Sequence, residues 1–171
     1  MNKTIEVIKS RVSCRSYNDK KVSKSKLELI LEAGMMAPSG MNKQVCNIIY
    51  IKSKATLEKI RAALQAKFNR ECLYGAKTLC LVIGPISEPL MIQDASCILE
   101  NMFIAATALK IDSCWINQLD ELLRDPTYIT LRKKLGLGED DKVVGSIILG
   151  YRKEGDKIPS KPRKEDFVRV I

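Results

Sequence analysis

The chain of 171 residues contains no histidine. Histidine supplies the general base in Ser-His-Asp and Cys-His nucleophile systems, and it is the commonest protein ligand for transition metals. Its absence argues against those hydrolytic systems and against most zinc and non-haem iron sites. A redox cofactor that carries its own reactive atoms is the class of chemistry least affected, because the protein then supplies only position and electrostatics.

The six cysteines lack the spacing of a metal or redox motif. No pair of them forms a C-x-x-C sequence, so neither a zinc knuckle nor a thioredoxin-like dithiol is indicated. Asn2, Lys3 and Glu6 interrupt the first residues before an apolar run develops, and we therefore expect no secretory signal peptide. We expect a cytoplasmic protein with reduced thiols, most of which pack as small buried hydrophobic groups.

Aromatic residues account for only 5% of the chain, although its formal net charge is +9. A basic surface favours phosphate-bearing cofactors, nucleic acids and acidic membranes alike, so charge alone does not choose between them. Nucleic-acid binding stays open as the weaker alternative, because the basic clusters lack the interleaved aromatic residues on which bases stack. We predict no nucleic-acid partner and no metal.

Residues 91–110 are apolar on almost every side of a predicted helix. Asp94, Glu100 and Asn101 interrupt this stretch, so no run of about 20 apolar residues is left to span a bilayer. We therefore expect a buried central helix and no membrane contact.

A hydrophobic content of 46% suits one domain, which we place at residues 1–171. Helical periodicity and β-branched runs predict its elements. The predicted helices cover residues 4–10, a segment that Ser23 or Ser25 caps and that ends before Pro38, and residues 56–68, 91–110, 119–124 and 128–135. Residues 45–51, 77–84 and 143–149 are predicted strands, residues 111–115 a strand or turn, and the chain from Gly150 onward an irregular tail. Helices flanking each strand indicate an α+β domain with a central sheet.

Gly136-Leu137-Gly138 has the glycine spacing with which a dinucleotide-binding fingerprint begins. It follows a predicted helix and precedes a predicted strand, which reverses the order that this fingerprint requires. We interpret it as a helix end followed by an acidic turn.

Arg11, Ser13 and Arg15 stand at alternate positions near the start of the chain, and Lys161 and Arg163 add two cations near its end. Residues two apart in an extended segment face the same way, so two guanidinium groups and a hydroxyl converge. Such groups bind a phosphate through charge-assisted hydrogen bonds. The alternative is an extended segment whose arginines are simply solvated.

A second segment, Ala37-Pro38-Ser39-Gly40-Met41-Asn42-Lys43-Gln44, follows the second predicted helix. With it, the chain resembles the nitroreductase family of FMN-dependent oxidoreductases. The resemblance runs through residues 8–17, 38–44, 69, the helix around 94, 113–116, 145–150 and 161–163. It implies a three-layer α/β/α domain with a central, mainly antiparallel sheet, dimeric with the flavin at the interface.

By this resemblance, Arg11 and Ser13 bind the FMN phosphate together with Lys161 and Arg163 from the tail. Arg15 approaches the N1 and C2 carbonyl edge of the flavin ring. A cation there stabilises the anionic reduced flavin and makes the bound cofactor easier to reduce.

The resemblance also places Pro38, Ser39 and Asn42 against the flavin of the neighbouring subunit. FMN binding then presupposes a homodimer. Taken alone, however, a Pro-Ser-Gly sequence after a helix is typical of an ordinary turn.

Three further residues correspond to positions near the flavin ring. Asn69 resembles the amide that binds the pyrimidine side, although an asparagine at the end of a helix is equally typical of a C-cap. Asn117 and Gln118 occupy the place where backbone N–H groups meet flavin N5 and O4. Relatives often carry glycine in place of Gln118, which leaves the local backbone path open, and Trp115 is alternatively a core residue.

The chain departs from the family pattern in three places. Family members usually continue the loop as Gln-Pro-Trp, whereas this chain has Gln44-Val45-Cys46. Val12 stands where a second arginine is often found. Little sequence lies between Gly84 and Met91 or between Trp115 and Arg124, where larger relatives insert helices that cover the active site, so we expect a more open substrate pocket.

The implied activity is hydride transfer from NADH or NADPH to a nitroaromatic, quinone or related small-molecule acceptor, with ping-pong kinetics. Hydride transfer to the flavin requires no side-chain acid or base, which agrees with the absence of histidine. The alternative within the same fold is a flavoprotein with a specialised acceptor, such as a halogenated or unsaturated metabolite.

Overall fold

Helices and strands alternate along the part of the chain that the computed structural model describes, which is residues 2–158, 162–164 and 166–171. The helices are α1 (Lys3–Ser10), α2 (Lys24–Met35), α3 (Lys54–Phe68), α4 (Met91–Ala108), α5 (Gln118–Arg124) and α6 (Ile129–Lys134). The strands are β1 (Asn47–Tyr50), β2 (Thr78–Pro85), β3 (Asp112–Ile116) and β4 (Asp141–Gly150). The predicted elements are confirmed, with ends that differ by a few residues.

These strands form one sheet in the order β1-β2-β4-β3, and all of its pairs are antiparallel. The long strands β2 and β4 occupy the centre, and β1 and β3 are the edges. The register shifts between Val82 and Ile83 of β2. The antiparallel central sheet that the family resemblance implies is therefore present.

Helices cover both faces of this sheet because its central strands are apolar on both sides. Leu79, Leu81 and Ile83 of β2 pack with apolar residues of α3 and α5. Cys80 and Val82, which alternate with them, pack with residues of α2 and α4. Successive side chains of a strand point to opposite faces, so β2 contributes to two cores at once. The predicted three-layer arrangement is confirmed.

The helix ends follow the signals in the sequence. Ser23 caps α2 and Ser53 caps α3, each by accepting a hydrogen bond from a backbone N–H in the first turn. Gly136 follows α6 with a φ of 76°, which a glycine adopts without strain. It lies between α6 and β4, so the interpretation as a helix end is confirmed.

The helix α4 packs one side into the core and exposes the other, so the expected buried central helix is confirmed only for the side that faces the sheet and α2. Leu99, Met102 and Ala106 are fully buried against the sheet and α2, whereas Ile92 is 53% exposed. The sheet and the neighbouring helices cover one face of α4, and the other face lacks a covering layer among the described residues. Within those residues, no helix has the length and hydrophobicity needed to cross a membrane.

All six cysteines carry free thiols. Cys14, Cys72, Cys80 and Cys114 are buried, as predicted for most of them, and Cys46 and Cys97 are half-buried. Burial raises the pKa of the Cys80 thiol to about 12, so this group remains neutral at physiological pH.

Candidate cofactor site

The N-terminal segment, residues 11–17, is extended and joined to the edge strand β3. Ser13 forms a parallel bridge with Ser113, and the N–H of Cys14 donates to the Ser113 carbonyl at 2.9 Å. Farther on, the N–H of Tyr17 donates to the Tyr74 carbonyl at 3.2 Å. Main-chain hydrogen bonds therefore fix the extended conformation that the alternating pattern predicts.

Burial separates the two sides of the N-terminal segment. Cys14 and Tyr17 are buried in the core, at 0% and 2% exposure. Arg15 is exposed, and Arg11 and Ser13 are half-buried. The three groups of the predicted phosphate site thus remain accessible while the segment itself is anchored.

A partly buried ion pair supports this segment from beneath. The guanidinium of Arg152 donates to Oδ1 of Asp112 at 2.9 Å, and the backbone N–H of Arg152 donates to Oδ2 at 3.0 Å. Arg152 also forms an antiparallel bridge with Tyr17. Arg152 and Asp112 are far apart in the sequence, so no local sequence pattern could have predicted this ion pair.

The tail half of the predicted phosphate site is not tested. Lys161 lies outside the described residues. Arg163 is exposed, and no hydrogen bond or ion pair joins it to the described residues of the N-terminal segment. A role for Lys161 and Arg163 in binding phosphate stays a prediction.

The second predicted segment, residues 37–44, forms a strained loop between α2 and β1. It contains a short 3-10 helix at Gly40–Asn42. Met41, Asn42 and Gln44 have φ values of 51°, 54° and 51°. Left-handed backbone is costly for residues other than glycine, least so for asparagine, and such strain is concentrated at functional sites in proteins.

Side chains hold this loop in place. The N–H of Gly40 donates to Oδ1 of Asp94 at 2.9 Å. The N–H of Gln44 donates to the Ser39 hydroxyl at 3.1 Å, and its side-chain amide donates to Oδ1 of Asn42 at 3.0 Å. Ser39 and Asn42, both predicted to contact the cofactor, therefore also shape the loop that presents them.

Asp94 anchors the loop through its hydrogen bond with Gly40, a contact that the sequence did not reveal. It lies in the first turn of α4 and is only 7% exposed. Burial, followed by the negative charge of Asp94, raises the pKa of the Cys46 thiol to about 11. The sequence does show an acidic residue near the start of an otherwise apolar helix. This pattern predicts a buried carboxylate, but it does not predict which group binds it.

A groove of about 470 Å³ opens beside this loop. Pro38, Ser39 and Cys46 contribute to its lining. Apolar residues of α2, β1 and α4 and the polar side chains of Asn47 and Asp94 also line it. Cys46 lies in the position of the family's usual tryptophan, so a small thiol replaces a large ring here. The more open substrate pocket expected from the short connections of this chain stays a prediction.

The predicted ring-binding residues Asn117 and Gln118 lie where β3 leads into α5. Asn117 is exposed and immediately precedes α5, and Gln118 is the first residue of that helix. The indole N–H of Trp115 donates to Oδ1 of Asn117. Trp115 is half-buried and stacks on Phe103, so it is neither wholly a core residue nor a free surface residue.

Asn69 ends α3 in the left-handed conformation, with φ of 50°. It is therefore the helix C-cap that the alternative interpretation describes. Its side chain is exposed, so both roles are open to it, and contact with a flavin stays a prediction.

The structure does not bring the N-terminal segment and the loop together within one chain. The loop leads into β1, whereas Ser13 lies beside β3 at the opposite edge of the sheet. Three strand spacings separate these edges, roughly 14 Å. The antiparallel registers also place the start of β1 and the start of β3 at opposite ends of the sheet.

The fold is that of an α+β domain, with an accessible cationic segment anchored at one edge of its antiparallel sheet. The chain belongs to the nitroreductase family, whose model matches residues 8–71 and 65–151. An Archaeoglobus fulgidus protein, named as a candidate NADH dehydrogenase/NAD(P)H nitroreductase, is 30% identical over 156 residues, which cover 90% of this chain and 88% of the relative.

Solved structures extend this likeness to the whole fold. A nitroreductase with bound FMN from Bacteroides fragilis superposes with a TM-score of 0.93 at 33% identity, and 100% of each chain is covered. A nitroreductase with bound FMN from Desulfitobacterium hafniense gives a TM-score of 0.87 at 27% identity over 99% of each chain. Within the described residues of the present chain, no group of three or more His, Cys, Asp or Glu side chains is arranged to hold a metal ion.

Proposed function

We propose that this protein is an FMN-dependent oxidoreductase that takes a hydride from NADH or NADPH and reduces nitroaromatic, quinone or related acceptors. The observation that carries the proposal is the accessible cationic segment, anchored at the sheet edge in a chain that matches an FMN-bound nitroreductase over its full length. FMN, when bound, supplies a two-electron carrier that accepts hydride from the nicotinamide and delivers it to the acceptor.

The residues present fit the phosphate of FMN. Arg11 and Ser13 are half-buried, so their side chains are accessible while their backbone is fixed. The guanidinium group of Arg11 and the hydroxyl of Ser13 offer the positive charge and the hydrogen bonds that suit a phosphate dianion. Lys161 and Arg163 are the proposed further contacts from the tail.

The remaining predicted residues suit the ring system. Arg15 offers a cation to the N1 and C2 carbonyl edge, where negative charge develops on reduction. Asn69, Asn117 and Gln118 supply amide and backbone groups for the polar edges of the ring. None of these residues is required as an acid or base, and water can supply the proton that an acceptor takes up.

We propose a homodimer, in which Pro38, Ser39 and Asn42 of one subunit complete the site of the other. The two halves of the predicted site lie at opposite edges of the sheet in a single chain, so a second copy is needed to join them. Several large apolar side chains on α2, α4 and the loop are at least half exposed: Leu29, Met35, Met36, Met41 and Ile92. Such a patch is typical of an interface between subunits.

The proposed setting is a single-domain protein in the cytoplasm. Its six free cysteines, four of them buried, suit a reducing compartment. The partners that this function requires are a second copy of the chain and a small-molecule acceptor.

The decisive experiment is the visible spectrum of the purified protein before and after anaerobic addition of NADH and then NADPH. We expect flavin absorption bands that bleach with at least one nucleotide and return when a nitroaromatic or quinone is added. Parallel lines in double-reciprocal plots of initial rates would support the ping-pong order. A colourless protein that takes up no added FMN would refute the proposal.

A further inference from the structure

A series of side-chain contacts connects the two predicted ends of the cofactor site. The guanidinium carbon of Arg11 lies 6.0 Å from the centre of the Phe103 ring. Phe103 in turn stacks on Trp115, with ring centres 6.1 Å apart and planes at 22°. The indole N–H of Trp115 then donates to Oδ1 of Asn117. Cation–π contact, ring stacking and a hydrogen bond therefore run from the phosphate residue to the ring residue.

The indole of Trp115 packs closely against two neighbours. It stacks on Phe103, which is only 4% exposed. It also lies against Gly145 of β4, where an added Cβ would be 2.3 Å from Cζ2 and 2.5 Å from Cε2 of the indole. Gly145 does not have a left-handed φ, so the space taken by the ring, rather than backbone conformation, calls for glycine here.

The hydrogen bond from this fixed indole determines how the Asn117 amide is turned. An indole N–H is a donor only, so the atom of Asn117 that faces it must be the carbonyl oxygen. The NH₂ group of Asn117 therefore points away from the indole. This NH₂ group donates no hydrogen bond to any described residue, so it is an available donor on an exposed residue.

We propose, on the basis of the function proposed above, that Trp115 is a positioning residue of the cofactor site. It orients the Asn117 amide so that the NH₂ group is presented to an acceptor atom of the bound flavin ring. It also holds Phe103 beneath Arg11, and thereby links the orientation of the ring contact to the phosphate contact. The tryptophan acts through Asn117 and is not itself a catalytic residue.

The test is a double-mutant cycle with Trp115→Phe and Asn117→Ala, read as the FMN dissociation constant from isothermal titration calorimetry. Trp115→Phe keeps an aromatic ring against Phe103 but removes the N–H donor. Each single variant is expected to weaken FMN binding about fivefold, the effect of one lost hydrogen bond. The double variant is expected to bind no more than about twofold more weakly than Asn117→Ala alone, because both changes remove the same interaction.

A second readout requires no cofactor. Trp115 is the only tryptophan in the chain, so the intrinsic emission spectrum reports on this one side chain. In apo protein, Asn117→Ala is expected to shift the Trp115 emission maximum because the indole loses its hydrogen-bond acceptor. Gln65→Ala is the matched control, since it removes an exposed side-chain amide from α3, on the other face of the sheet, and should leave the emission unchanged.

A third readout separates positioning from general structural support. The absorption maximum and midpoint potential of the bound flavin are expected to shift in Trp115→Phe and Asn117→Ala by the same amount and in the same direction. Additive effects on FMN binding, or wild-type affinity and spectrum in Trp115→Phe, would overturn the positioning role. Wild-type protein that binds no FMN would instead count against the proposed function, and the apo emission test would still decide whether the Trp115–Asn117 contact forms.

Discussion

The N-terminal segment and the loop at residues 37–44 are both predicted to touch the same cofactor, yet they are held in different ways. The N-terminal segment is bonded through its backbone to β3 and to the chain after β4. The loop precedes β1; its backbone hydrogen bonds are local, and the side chain of Asp94 joins it to α4. The N-terminal segment thus extends the sheet through backbone bridges, whereas the loop lies outside the sheet and is joined to α4 through a side chain.

Strain follows the same division. No residue of the N-terminal segment has a positive φ, whereas Met41, Asn42 and Gln44 of the loop all do. Each such conformation costs on the order of 1–3 kcal/mol unless neighbouring contacts maintain it. The loop therefore stores a conformation that its own sequence does not favour. We interpret this as a surface kept ready for a partner subunit, while the N-terminal segment is complete within one chain.

Removing the principal cation of the N-terminal segment should have the largest effect. Arg11→Ala is expected to weaken FMN binding roughly 10- to 100-fold, because a charge-assisted hydrogen bond to phosphate contributes about 1.5–3 kcal/mol. Isothermal titration with FMN measures the change. Thermal unfolding of the apo protein should change little, since the backbone of the segment is fixed by main-chain bonds.

The matched control for Arg11→Ala is Lys59→Ala, which removes the same charge from the exposed surface of α3. If both variants lose affinity equally, the binding depends on net charge rather than on a specific phosphate contact. The cationic segment would then be an ordinary solvated surface.

Releasing the loop should have a smaller effect on binding. Asp94→Ala removes the acceptor of the Gly40 N–H, and we expect FMN affinity to fall about tenfold as the strained loop relaxes. Asp94→Asn keeps Oδ1 and should retain most of the affinity. Hydrogen exchange at the Gly40 amide, measured by NMR in apo protein, should accelerate in the alanine variant and much less in the asparagine variant.

A loop that needs no anchor would contradict this view. Wild-type exchange at Gly40 in Asp94→Ala would show that the remaining bonds, such as that between Gln44 and Ser39, are sufficient. Gln93→Ala, at the exposed neighbouring position, controls for a general effect on the start of α4.

The sequence was sufficient to predict what depends on local pattern. Runs of β-branched and apolar residues indicated the strands, Ser23 indicated a helix start, and the alternation of Arg11, Ser13 and Arg15 indicated an extended segment. These features depend on neighbours within a few residues, which periodicity and capping rules describe well.

The sequence was not sufficient where distant residues decide the outcome. The bond from Gly40 to Asp94 and the pair of Arg152 with Asp112 join separate elements, so no local pattern contains them. The left-handed backbone of Met41 contradicts its intrinsic preference and exists because the surrounding loop imposes it. The exposed side of α4 was missed for a related reason, since composition does not show how many layers cover a helix.

The support of the N-terminal segment can be weakened without touching its phosphate groups. Asp112→Ala removes both acceptors of Arg152, a side chain that is only 15% exposed, and should cost about 1–3 kcal/mol of stability. For a chain of this size, we expect Tm to fall by about 5 °C in thermal unfolding. FMN affinity should fall less than in Arg11→Ala.

The comparison for Asp112→Ala is an ion pair at the surface. Glu28→Ala breaks the pair with Lys24, in which the glutamate side chain is 61% exposed, and should change Tm by about 1 °C or less. Equal losses of Tm in the two variants would mean that the Arg152 pair contributes no special support to the segment.

Cys46 offers the smallest and most local test of the loop region. Its pKa is raised to about 11 by burial first and by the charge of Asp94 second, so the thiol should react slowly with iodoacetamide at neutral pH. In a Cys97→Ser background, which leaves Cys46 as the only half-buried cysteine, the alkylation rate should rise towards pH 11. Asp94→Asn should lower that midpoint only partly, because the larger cause, burial, remains.

The sign of the accompanying stability change follows from the raised pKa of Cys46. The folded state favours the neutral thiol of Cys46. Its contribution to the free energy of unfolding is therefore complete below about pH 8.5, the pKa of an unfolded cysteine, and is lost as the pH rises towards the folded pKa of about 11. Circular dichroism over the same range would confirm that alkylation is measured on folded protein. A midpoint near that of an unfolded cysteine would mean that the thiol is freely solvated. The groove beside the loop would then be open at Cys46, and Asp94 would stabilise the loop without influencing its neighbour.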